Sequence, residues 1–111
     1  MLQLKKNTVI SAVEIVKEVF AMDSLFIESK TDEAKARYVL YYVLKEVNKI
    51  KFVTIQKVIK SEYGFDTVHA NMSHGVNVIR SLMRSDADVR FAVEEVIRQL
   101  DEKSKSKSNN K

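Results

Sequence analysis

Residues 52–84 read FVTIQKVIKSEYGFDTVHANMSHGVNVIRSLMR. Phe52, Ile55, Val58, Ile59 and Tyr63 recur at helical spacing, so Phe52–Tyr63 is expected as a helix with one buried face. Gly64 follows, where helices commonly end on a left-handed residue. Asp66 or Thr67 can cap a second helix, Thr67–Arg84, whose inner face is Val68, Met72, Gly75/Val76, Ile79 and Leu82/Met83. Gly75 costs helix propensity, and its place on the inner face implies close approach of a neighbouring helix rather than a break. His69, Asn71, His74, Asn77 and Arg80 lie away from that face. Two helices, a short turn and a polar outer side are expected to form a helix-turn-helix.

The chain on either side reads as helix too. Residues 1–7 look like a lead-in, and Asn7 or Thr8 can cap a first helix to about Met22, buried through Val9, Ala12, Val13, Val16, Val19 and Phe20. Asp23-Ser24 is a break, and Leu25-Phe26-Ile27 is expected as one helical turn plugging the core. Ser29-x-x-Asp32 resembles a capping box for a second helix, Asp32–Asn48, with Asp32 and Glu33 favoured by the dipole. The wide apolar arc of Ala34, Tyr38, Tyr41, Val43, Leu44 and Val47 marks this helix as central. Its tyrosines, Tyr38, Tyr41 and Tyr42, are expected with rings in and hydroxyls out. Ser85-x-x-Asp88 starts a last helix, about Ala87 to Leu100. Beyond it, residues 101–111 have no apolar side chain and are expected to be a disordered basic tail.

Bulk composition agrees. The 111 residues, 45% apolar, suffice for one core and one domain, expected over 1–100. There is no proline and there are two glycines, too little turn vocabulary for a strand-rich fold. The expected class is all-α, a compact bundle of about five to six helices. No cysteine is present, so disulfides and thiolate metal sites are excluded. No apolar run approaches the roughly 20 residues of a membrane span, and the N-terminus lacks the order of a signal peptide. A cytoplasmic protein without membrane contact is the expectation.

Chemistry is sparse. His69 and His74 are five residues apart, which places them roughly 140° apart round a helix, so they cannot chelate one ion as an i, i+4 pair does. Neither a metal motif nor a glycine-rich phosphate loop exists, so no catalytic residue, metal, cofactor or bound nucleotide is expected. Charge is more informative. The formal net charge is +4, and Lys45, Lys49, Lys51, Lys57 and Lys60 run together with only Glu46 opposing before Glu62. Such a run is commonly just a solvated face. Beside a two-helix reader, it is better read as a patch contacting phosphates, where counterion release drives binding.

Four stretches carry a family resemblance. "IVKEVFAMDSLFIESK", "AKARYVLYYVLKEV", "VHANMSHGVNVI" and "SDADVRFAVEEVIRQL" together span most of Ile10–Leu100. They resemble the C-terminal double-stranded DNA-binding domain of the bacterial replication initiator DnaA, a Trp-repressor-like helix-turn-helix. "VHANMSHGVNVI" is similar to that family's "DHTTVLHAxxxI", with both histidines at the same separation. The resemblance implies that Arg37 enters the minor groove, that Lys45 contacts phosphate and that the Asn48–Val53 loop, with Asn48, Lys49 and Lys51, lies along the backbone. It also implies major-groove roles for His69 and the two residues after it, Ala70 and Asn71. Thr67 and His74 complete the candidate set.

The signature is altered. Thr67-Val68 stands where the family has Arg-Asp, and Ala70-Asn71 where it has Thr-Thr. Val68 cannot accept from a cytosine amino group, Ala70 offers only apolar contact to a thymine methyl, and Asn71 can still pair with adenine. The stretch between the reader helices is longer, extending the first through Lys60-Ser61-Glu62-Tyr63. The initiator's ATPase portion has no counterpart. The resemblance therefore implies a stand-alone, phage- or mobile-element-like binder of double-stranded DNA, nucleoid-associated and monomeric. Its setting would be replication initiation or transcription, with other replication proteins as candidate partners. The alternative is a protein-interaction module that keeps the fold without reading sequence.

Overall fold

The computed structural model describes residues 2–26 and 31–109, with side chains over 5–26 and 32–103. The order is α1 (Leu2–Val19), α2 (Thr31–Tyr42) continued by a π-helical turn (Val43–Val47), α3 (Phe52–Tyr63), α4 (His69–Ser85) and α5 (Ala87–Asn109). Among the described residues there is no strand, so the all-α expectation holds, with five helices.

In α1, Val9, Ala12, Val13, Ile15 and Val16 are all buried. The helix starts before the expected cap, at Leu2, and ends before Met22. Its end is a Schellman turn: Met22 N–H donates to the Lys17 carbonyl (2.8 Å) and Ala21 N–H to that of Glu18 (3.1 Å). Ala21 takes the left-handed position, φ 54°, that glycine usually fills. Leu25 does plug the core and Phe26 packs against it, but neither is helical; Ile27 lies outside the described residues, as does Ser29 of the expected capping box.

The central helix forms as expected until Tyr42 and then widens. Asn48 N–H reaches the Val43 carbonyl and Ile50 N–H that of Leu44, both at 3.0 Å. The widened turn buries Val43 and Leu44 together. α4 packs most extensively on α2, because Gly75 lets the Tyr38 ring lie against its backbone. A Cβ on Gly75 would stand 2.5 Å from Tyr38 Cδ1, so the close approach expected of this glycine is real.

Three further starts and ends differ from expectation. α4 begins at His69, with Val68 at the N-cap making no capping bond, because Thr67 is buried and Asp66 pairs with Lys60 (2.8 Å). Asp86, not Ser85, caps α5, its Oδ1 accepting from Asp88 N–H (3.0 Å) and Val89 N–H (3.2 Å). α5 also continues past Leu100 to Asn109, where the sequence leads one to expect no regular structure. Glu95, Arg98 and Glu102 tie successive turns across that point, with Arg98 at 2.5 Å from Glu95 and 2.7 Å from Glu102.

Candidate nucleic-acid interface

α3 is built as expected. Ile55, Val58 and Ile59 face the core, and Gly64 closes the helix at φ 66°, its N–H on the Lys60 carbonyl at 3.0 Å. The four residues that follow, 65–68, turn the chain into α4, and side chains from three other segments hold them. The Tyr41 hydroxyl donates to Thr67 Oγ1 (3.3 Å), and Gln56 Nε2 donates to the Thr67 carbonyl (2.7 Å). Phe65 packs against Phe26 with the rings tilted and their centroids 5.1 Å apart. Arg37 lies over the Phe65 ring at 5.1 Å while donating to the Leu25 carbonyl.

Two expected DNA contacts are thus used inside the protein. Thr67 is only 3% exposed and faces Tyr41, so its side chain is not presented to a ligand. Arg37 bridges the Leu25 carbonyl and the Phe65 ring; reaching a minor groove would require it to leave both. Tyr41 is likewise a correction: its hydroxyl is inside, where burial raises its pKa and Thr67 and Arg37 offset this only in part.

The remaining candidates gather near the start of α4. His69, Ala70, Asn71 and His74 are all exposed. Phe52, the first residue of α3, joins them to the lysines: its ring lies 6.0 Å from the His69 ring, and Lys45 Nζ sits 5.0 Å from its centroid. Asn48, Lys49 and Lys51 are exposed in the loop just before α3. Lys49 holds a left-handed backbone, φ 59°, a conformation glycine adopts at lower cost. Further along α4, His74 meets Tyr38 edge-on at 5.7 Å, and Arg80 pairs with Glu46 at 3.1 Å. α4 itself carries no acidic residue.

Spacing rules did not single out Phe52 or Gln56. Helical spacing places Phe52 on the apolar face of α3, yet it is half-buried and joins Lys45 to His69. Gln56 gives a fainter signal, a long amide beside buried Ile55 whose partner is eleven residues away. Among the described residues, no group of three His, Asp or Glu side chains could hold a metal ion, and no helix is long and apolar enough to cross a membrane.

Comparison of the chain with protein-family models, with curated proteins and with solved structures finds no match.

Proposed function

We propose that the chain binds double-stranded DNA, with α3 and α4 acting as a helix-turn-helix and the outer face of α4 in the major groove. The observation that carries this reading is the Lys45–Phe52–His69 contact, which sets the lysine-bearing loop beside an acid-free exposed helix. A helix in the groove needs flanking cations on the phosphates that border it, and Lys45, Lys49 and Lys51 would supply them. Arg37 supports the reader from behind rather than touching DNA. In line with the DnaA resemblance, the biological setting is replication initiation or transcription.

Titration of mixed-sequence duplexes at low and moderate salt tests the reading. Micromolar or tighter binding that weakens with salt is expected. Lys45→Ala should lower affinity about equally for all sequences and reduce the salt slope by about one unit. Lys49→Gly should relax the backbone while still weakening DNA binding, which separates contact from folding. Failure to bind any duplex at low salt would sink the proposal. A protein footprint on residues 67–77 that DNA does not displace would favour the interaction module, a reading that exposed Val68 supports.

A further inference from the structure

We infer that the outer face of α4 is built to read A·T base pairs, with thymine methyls against Val68 and Ala70 and adenine against Asn71. This rests on the duplex-binding reading above. In the major groove, guanine is read by Arg or Lys on O6 and N7, and cytosine by a carboxylate on its amino group. Adenine is read by an amide, and thymine by apolar contact with its methyl. From Val68 to Ile79 there is no Arg, Lys, Asp or Glu. Arg80, the first charged side chain along α4, is held by Glu46 at 3.1 Å and donates to Asn77 Oδ1 at 2.8 Å. The reading half of the helix therefore lacks both residue types that favour a G·C pair. Serine and histidine accept or donate to either pair and do not alter this balance.

What the face does offer is specific to A·T. Val68 stands at the helix N-cap, where Ser, Thr, Asp or Asn would satisfy a free N–H, and it makes no capping bond. The residue is 51% exposed, so within this chain it gains little burial in exchange for the missing cap. A local rule broken without structural gain points to a role outside the fold. Ala70 adds a second exposed apolar group two residues on. Asn71 is exposed with its amide uncommitted, able to accept from adenine N6 and donate to N7 together. Asn77 cannot do this while its carbonyl holds Arg80.

The test is selection from a random duplex pool with the full chain, followed by isotherms on the recovered site. A·T pairs should dominate the core of that site. Replacing a contacted thymine by deoxyuridine removes only its methyl and should weaken binding about fourfold. Val68→Ser, which supplies a cap and so keeps the helix, should abolish that loss at one position. Asn71→Ala should lower the preference for adenine at its position about tenfold. A G·C-centred site, or equal binding of uracil and thymine duplexes by a protein that still binds DNA, would overturn the inference. Absence of binding to the whole pool at low salt would overturn the duplex-binding reading itself, and this inference with it.

Discussion

Thr67 receives two hydrogen bonds from distant parts of the chain, one on its hydroxyl from Tyr41 and one on its carbonyl from Gln56. Because both it and Tyr41 are almost fully buried, water cannot replace the bond between their hydroxyls. Thr67→Val keeps the shape but leaves the Tyr41 hydroxyl buried without an acceptor. It should destabilise the fold by about 1–3 kcal/mol, read as a lower urea midpoint with an unchanged slope. The double variant with Tyr41→Phe removes both ends of the bond and should cost less than the two single changes added together. Additive costs would mean that the pair does not interact. This residue also marks what local reading misses. A threonine just before an apolar run is a good cap, and nothing nearby in sequence competes for it. Its actual partner is twenty-six residues upstream. Arg37 is the same case, since its hydrogen-bond acceptor is a backbone carbonyl twelve residues away, which no side-chain pattern encodes.

At the level of elements, α3 is the part most legible from sequence. Its apolar spacing and Gly64 set both ends, because each signal lies inside the helix or next to it. α4 is legible on its inner face from Met72 to Ile79, and Gly75 there predicts a close neighbour, which Tyr38 provides. Val68, expected on the same face, is exposed instead, because it stands at the N-cap before the helix begins. The widened turn after Tyr42 was not legible: Val43 and Leu44 fit an ordinary helix equally well, and only packing against the rest of the core selects the wider one. The α2–α4 contact yields a prediction. Gly75→Ala would gain about 1 kcal/mol of helix propensity in isolation. Its Cβ, however, would fall 2.5 Å from Cδ1 and 2.9 Å from Cγ of the Tyr38 ring, too near the ring's root for a small torsion to relieve. The net change should be a loss of about 1–3 kcal/mol in thermal or urea unfolding. Tyr38→Leu in the same chain should restore part of that loss. A stabilised single variant would show that α2 and α4 do not meet at this distance.

The whole molecule is joined by two tyrosines whose ionisation the fold opposes, and this gives it a characteristic response to alkali. Tyr41 links α2 to the turn before α4, and Tyr63 closes α3 with its ring 4.9 Å from Phe26. The Tyr63 pKa is pushed up from 10.0 to about 12, first by burial and then by the charges of Glu14 and Glu62; that of Tyr41 is also raised, chiefly by burial. A raised tyrosine pKa means that the folded chain keeps the neutral phenol where the unfolded chain has already lost its proton. The stability this contributes is complete below pH 10, where both states are neutral, and it is lost as pH rises through about 12. The melting temperature should therefore fall steeply across that window. The informative quantity is the difference between parent and variant, since every contribution other than that of Tyr63 is common to both. Tyr63→Phe keeps the ring against Phe26 and removes the ionisation, so its melting temperature should fall less than the parent's between pH 10 and 12. Its absorbance titration should also lack a phenol that ionises near pH 12. Parallel curves for the two proteins would show that Tyr63 ionises in the folded chain as it does in the unfolded one, and that the alkaline limit lies elsewhere.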